Sequence, residues 1–170
     1  MSTLTLDAEA LYTELRSGVR QLWRPGMAMM GIWSGGAWLA ERLTADLMDL
    51  TAGARPGVIS STLHRDDFGA RGMASGTDAT KIPYSVDGAH ILLLDDVLFT
   101  GRTTRAVINE LFDFGRPASV TLAVLVDRGG RELPIQPAFA AAKISLPAAQ
   151  KLSLKRADDG RFTFSIQGEA

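Results

Sequence analysis

Cysteine is absent from this sequence. Disulfides, thiolate nucleophiles and cysteine-ligated zinc are therefore excluded. Histidine is scarce: only His64 and His90 occur, too few for a multi-histidine metal site. No stretch reaches the ~18 consecutive apolar residues of a membrane span. The apolar run Met27–Trp33 is short and soon meets glycines. Residues 1–7 lack a basic region followed by an apolar one, so no secretory signal is expected. Charge of one sign is not in excess either. Eighteen basic residues nearly cancel nineteen acidic ones, for a net charge of -1. That balance argues against strong non-specific attraction to nucleic acid, although a local basic patch is compatible with it. Internal repeats and low-complexity segments are missing. The expectation is a cytoplasmic protein without a membrane partner.

What is present suits one domain spanning 1–170, since 46% of the residues are hydrophobic and can fill a core. Asp7 is a helix N-cap, and Leu11, Leu15, Val19 and Leu22 recur at helical spacing, so the pattern predicts a helix over 8–23. Met27–Trp33 reads as a buried strand, Ser34-Gly35-Gly36 as a tight turn and Ala37–Leu50 as a helix. Val58–Leu63 reads as a second strand. Residues 66–82, with Gly69, Gly72 and Gly76, read as a long loop able to act as a flexible lid. Ala89–Leu94 and Val120–Val126 are strongly apolar strands flanking a helix at Thr103–Phe114. Residues 127–150 are expected to form a small hood. A β-hairpin turns at Asp159-Gly160 within 151–168. Helices alternating with apolar strands imply an α/β fold, a mainly parallel central sheet flanked by helices. In such sheets ligands bind beyond the carboxyl ends of the strands.

The segment Ile91–Thr104 carries the chemistry. A buried strand delivers Asp95 and Asp96, a short turn supplies Val97, Leu98, Phe99, Thr100 and Gly101, and Arg102, Thr103 and Thr104 begin a helix. A helix N-terminus leaves N–H groups free and carries partial positive charge. Glycine lets a phosphate approach the backbone closely, and threonine hydroxyls add donors. The carboxylates stand where they could hold the hydroxyls of a ribose whose 5′-phosphate rests in the turn. A Walker A loop is excluded because Gly-x-x-x-x-Gly-Lys-Ser/Thr is absent, and Gly-x-Gly-x-x-Gly is absent too. The competing reading is structural: the aspartates end a strand, and Thr100 or Thr103 caps the next helix.

The same segment resembles the phosphoribosyl pyrophosphate (PRPP) motif of type I phosphoribosyltransferases. More narrowly, the chain resembles the PyrR family, pyrimidine-operon attenuation regulators that are also uracil phosphoribosyltransferases. Asp95–Thr103 matches that family's Asp-Asp-Val-Leu-Tyr-Thr-Gly-Arg-Thr, with Phe99 for tyrosine. Gly115-Arg-Pro117, Leu122–Gly129 and Arg131-Glu-Leu-Pro-Ile135 also match. His64-Arg65-Asp66-Asp67 resembles the family's Tyr-Arg-Asp-Asp, and Gly31–Gly36 resembles its pyrophosphate loop.

The resemblance implies a type I phosphoribosyltransferase fold with a hood and a flexible hairpin loop. It implies that Mg²⁺ enters with PRPP, held by Asp95 and Asp96 only indirectly. Asp95, Asp96 and Arg65 would be the catalytic residues, and Val97 to Thr104 would bind the 5′-phosphate end. Trp33, Ser34, Gly35 and Gly36 would form the pyrophosphate loop. There Trp33 and Gly35 replace the cations usual in the family. Asp66 and Asp67 would lie on the flexible-loop side, and Asp127 and Arg128 would meet uracil. Phe99 cannot exchange a proton, so general-base chemistry from that position is excluded.

Two functions follow from the resemblance. One is UMP synthesis from uracil and PRPP. The other is nucleotide-sensing (UMP or UTP) regulation through binding of pyr leader RNA, with weak or no turnover. Arg16, Arg20, Arg131 and Lys143 are candidate RNA contacts, but Gly130 and Gln136 stand where the family usually carries basic residues. A homodimer or higher homo-oligomer is expected.

Overall fold

The first helix, α1 (Ala8–Leu22), starts at Asp7, whose carboxylate accepts the Ala10 N–H at 3.1 Å. Glu9 near its start and Arg20 near its end suit the helix dipole. The computed structural model describes residues 5–61 and 80–169. Beyond α1 come β1 (Ala28–Ile32), α2 (Gly35–Asp46), α3 (Met48–Thr51), β2 (Gly57–Ile59), β3 (His90–Leu98) and α4 (Arg102–Phe112). They are followed by β4 (Ser119–Asp127), β5 (Phe139–Lys143), β6 (Lys151–Arg156) and β7 (Phe162–Gln167).

Among the described residues, five strands form one sheet in the order β2-β1-β3-β4-β5, and every neighbouring pair is parallel. Strand alternation divides the core between its faces. Leu92, Leu94, Ala123 and Leu125 point to the side covered by α1 and α2. Ile91, Leu93, Leu122 and Val124 point to the side covered by Val107 and Leu111 of α4. Burial on both faces is why these strands read as near-continuous apolar runs. The antiparallel pair β6–β7 stands apart from the main sheet and packs Leu154 and Phe162 onto the α1–α2 side. No helix among the described residues is long and apolar enough to cross a membrane.

Several boundaries differ from the sequence expectations. The turn Ser34-Gly35-Gly36 contributes its glycines to α2, because close packing against β1 and β3 tolerates only hydrogen there. A Cβ on Gly36 would strike the Leu94 carbonyl. The helix expected to reach Leu50 breaks at Leu47 and resumes as α3, the break tied by the Thr51 hydroxyl donating to the Thr44 carbonyl at 3.0 Å. β3 continues past Leu94 to Leu98 because β4 pairs with it out to Asp127. β2 ends at Ile59 rather than continuing towards Leu63, which lies outside the described residues. Within the expected hood, β5 is an edge strand of the main sheet. Its Phe139 ring fills the space that a side chain at Gly18 of α1 would need.

Candidate active site

The strand order reverses direction between β1 and β3: β2 lies on one side, β4 and β5 on the other. Such a switch point leaves a crevice at the strands' carboxyl ends. The crevice is a cavity of about 400 Å³, within the range that holds a small-molecule ligand. Trp33, Ser34 and Gly35 border it after β1, and Asp95, Asp96 and Val97 border it at the end of β3. Phe99, Thr103 and Arg128 complete the expected part of the lining. A smaller hollow of about 140 Å³ shares Asp95, Val97, Phe99 and Thr103 with it and is closed by Leu98, Thr100, Gly101 and Thr104.

Two helices begin at this crevice, and in neither does the N-cap residue's own side chain cap the first turn. α2 starts after Ser34, and α4 starts after Gly101. Gly101 has φ +92°, a conformation that favours glycine, and a Cβ there would meet Ile135. The capping alternative holds in part for Thr100, whose hydroxyl takes up the first N–H of this helix. Thr100 Oγ1 accepts only the Arg102 N–H, at 3.1 Å. The Thr104 hydroxyl is buried at the hollow and has no hydrogen-bond partner. A buried hydroxyl without a partner costs free energy that an anionic ligand could recover.

The aspartates are held in place by their own backbone. The Asp96 N–H donates to Asp95 Oδ1 at 2.9 Å, and the Val97 N–H donates to Asp96 Oδ1 at 2.8 Å. Asp95 is 7% exposed. The other Asp96 oxygen lies against Gly35, where a Cβ would collide with it. The carboxylate of β3 and the first turn of α2 are thus in direct contact. The Trp33–Ser34 peptide bond is cis.

On the far side, Arg128 is tied down. Its guanidinium donates to the carbonyls of Gln150 at 2.8 Å and Pro147 at 3.0 Å, and it lies 3.9 Å from the centre of the Phe99 ring. Burial pulls its pKa below the usual arginine value. Asp127 does not border the cavity. Its carboxylate accepts from Arg131 at 2.6 Å and from the Gly129 N–H at 2.9 Å. The Arg131 hydrogen bond holds the Asp127 pKa below the usual carboxylate value, against the opposing effect of burial.

The remaining expected residues fall elsewhere. Gly36 packs beneath the site on Leu94. Arg102 is at the rim, paired with Glu132 at 3.0 Å. Arg131 spends its other donors on the carbonyls of Phe99 and Ile135, both at 2.9 Å. Arg16 lies 3.7 Å from Asp46, and Arg20 pairs with Asp49 at 2.7 Å. Lys143 is exposed at the end of β5. Arg65, Asp66 and Asp67 lie outside the described residues.

Sequence reasoning expected β6 as part of a hairpin but did not place it at the site. Residues 151–155 border the cavity, and so does Trp38 of α2. The only signal was the period-two spacing Lys151-x-Ser153-x-Lys155, which reads equally well as the solvent face of a hairpin.

The phosphoribosyl transferase domain model matches residues 8–145. The chain is 46% identical over 173 residues to the Bifunctional protein PyrR of Ralstonia nicotianae, covering 97% of each chain. It is 44% identical over 168 residues to the Bifunctional protein PyrR of Nitrosococcus oceani, covering 96% of this chain and 93% of that one. The chain belongs to the PyrR family of phosphoribosyltransferases. Solved structures agree on the architecture. The hypoxanthine phosphoribosyltransferase of Trypanosoma cruzi superposes with a TM-score of 0.64 at 17% identity, covering 96% of each chain. Its complex with the product IMP gives 0.62 at 21% identity, covering 83% of this chain and 80% of that one. At such identities the likeness speaks for the fold alone. The PyrR relatives match far more closely and extend through the hairpin as well as the sheet.

Proposed function

We propose that the protein is a uracil phosphoribosyltransferase that makes UMP and pyrophosphate from uracil and PRPP. The observation that carries the reading is the buried, unpartnered Thr104 hydroxyl at a helix start whose N-cap is glycine, beside two backbone-ordered carboxylates. A group bearing both phosphate and vicinal hydroxyls answers both features at once.

In this reading Thr100 to Thr104 hold the 5′-phosphate, and Asp95 and Asp96 accept hydrogen bonds from the ribose hydroxyls. The start of α2, with Trp33 to Gly36, faces the pyrophosphate. Arg128 borders the base, and Asp127 anchors the loop that follows it. The bond from C1 of the ribose to pyrophosphate breaks as the bond from C1 to uracil nitrogen forms, and uracil releases that nitrogen's proton. Catalysis rests on positioning and on stabilising charge where it develops. Asp95 and Asp96 stabilise the positive charge that develops on the ribose, and the N–H groups of α2 receive the departing anion.

The donor set also fits Mg²⁺ carried by the substrate. Among the described residues no group of three or more histidine, cysteine or acidic side chains could hold a metal ion. Two carboxylates leave most of the coordination to water and substrate oxygens, as Mg²⁺ prefers. When bound, the ion neutralises charge on the leaving group.

A second activity is favoured by the word bifunctional in the relatives' name. In that reading the protein also binds pyr leader RNA and senses UMP or UTP in the same pocket. The pairing of Arg16, Arg20 and Arg131 within the chain points to weak rather than tight RNA binding.

The enzymatic reading is tested with purified protein, labelled uracil, PRPP and Mg²⁺. UMP should form. Asp95→Asn and Asp96→Asn each retain an oxygen for the neighbouring N–H, so the fold should persist while kcat/KM falls on the order of 100-fold or more. Unchanged turnover in both variants would remove the assignment. Absence of UMP from the wild type, together with salt-sensitive RNA binding, would favour the regulator.

A further inference from the structure

Among the described residues, the cations at the cavity single out the hairpin. Asp95 and Asp96 bring negative charge, and a PRPP-like ligand brings much more. The described cations bordering the cavity are Arg128, Lys151 and Lys155. Arg128 gives its two terminal nitrogens to the carbonyls of residues 147 and 150 and stacks on the Phe99 ring, while its buried Nε has no partner. The neighbouring Arg156 is committed too: it donates to Glu41 at 3.2 Å and lies 5.0 Å from the centre of the Trp38 ring. Lys151 and Lys155 are exposed and have neither an ion pair nor a hydrogen bond to another described side chain.

The placement of β6 gives each lysine an end of the site. Gln150, just before the strand, accepts from Arg128 on the base side. Arg156, just after Lys155, is fastened to Trp38 and Glu41 of α2, the helix whose first turn follows Ser34. Leu152 and Leu154 are buried, so the pleat sends Lys151, Ser153 and Lys155 to the opposite face, and residues of both faces border the cavity. The strand therefore lies along the cavity with its cationic residues spaced from the base end to the α2 end.

We propose that Lys155, assisted by Lys151, is the cationic binding element for the pyrophosphate group, complementing the N–H groups at the start of α2. The proposal rests on the PRPP reading of the site. A lysine on a flexible stem suits this task, because it can follow a multiply charged anion as a mobile point charge. It also supplies from another part of the fold the charge that Trp33 and Gly35 do not.

The test uses the full chain and the variants Lys155→Gln, Lys151→Gln, the double variant and Lys155→Arg. Three quantities are read: KM for PRPP, and the calorimetric Kd values of Mg²⁺-pyrophosphate and of UMP. The double variant should raise the first two about tenfold, with Lys155 contributing more, and shift the third by less than about twofold. Lys155→Arg should restore most of the pyrophosphate affinity, and added salt should shrink the wild-type advantage. Pyrophosphate affinity unchanged by the double variant overturns the proposal. Equal weakening of UMP and pyrophosphate overturns it too, because a general loss of packing or charge would do that. Wild-type protein that binds pyrophosphate but makes no UMP would sink the uracil reading while leaving the lysines to be judged by calorimetry. Wild-type protein that binds neither would end both.

Discussion

Thr104 shows how a single atom can report a missing partner. Its hydroxyl is buried without a hydrogen bond, whereas other buried hydroxyls here, such as those of Thr44 and Thr51, donate to carbonyls at 2.8 and 3.0 Å. Thr104→Val keeps the shape and removes the stranded group. The free protein should be unchanged in stability or gain up to about 1 kcal/mol in denaturant unfolding, while UMP affinity falls roughly tenfold. A variant less stable than wild type with intact UMP binding would mean that the hydroxyl serves the fold. Arg131 teaches the complementary lesson. It resembles a residue that would face RNA, yet its guanidinium bonds three groups of its own chain, Asp127, Phe99 and Ile135. Side-chain identity alone did not distinguish a surface cation from an internal brace.

At the scale of elements, the site depends on how closely α2 approaches the sheet. Gly31, Gly35 and Gly36 leave no room for a Cβ, because the α2 backbone at Gly36 and Ala37, the Asp96 carboxylate and the Leu94 carbonyl respectively occupy the space. Such contact brings the helix start and the β3 carboxylates into one crevice. Gly36→Ala would force backbone against backbone, where no rotamer change can relieve the collision. It should cost about 1–3 kcal/mol, lowering Tm by about 3–10 °C. A melting curve superimposable on the wild type would show that α2 can shift without consequence. The hairpin β6–β7 is placed by its own core contacts. Phe162 lies 5.8 Å from the Tyr12 ring centre, and its N–H donates to Glu9 at 2.9 Å.

The whole molecule shares one polar hub between α1, α2 and β7. Arg42 grips Glu9 with two 2.8 Å hydrogen bonds and lies 4.0 Å from the centre of the Tyr12 ring. The Arg42 hydrogen bond lowers the Glu9 pKa. Tyr12, 1% exposed, donates to Asp46 at 2.6 Å, and Tyr84 donates to the Met29 carbonyl at 2.8 Å. These are the chain's two tyrosines. Burial pushes both phenols well above the ordinary value, and the Asp46 contact raises Tyr12 further. Unfolded, each would ionise near pH ~10, and folded, neither would. The unfolded state therefore loses protons first. Stability is undiminished below pH ~10 and falls above it, by up to about 1.4 kcal/mol per pH unit for Tyr12. Tyrosinate absorbance should consequently rise together with loss of helical circular dichroism in an alkaline titration. Phenolate forming near pH ~10 in protein that remains folded would contradict the packing described.

Sequence alone determined the features set by local pattern. The Asp7 cap, the apolar runs of β3 and β4, the hairpin at Asp159-Gly160 and the strand-turn-helix order from Asp95 to Thr104 follow from periodicity, capping and turn chemistry within a few neighbouring residues. Tertiary structure decided what depends on distant partners. The β4 ladder extended β3 through the aspartates, and contact with β1 and β3 turned a glycine turn into the start of α2. It also carried Lys151 and Lys155, which follow Thr104 by 47 and 51 residues, to the border of the same cavity. Periodicity records which face a residue takes. Which elements that face will meet depends on the packing of the whole chain.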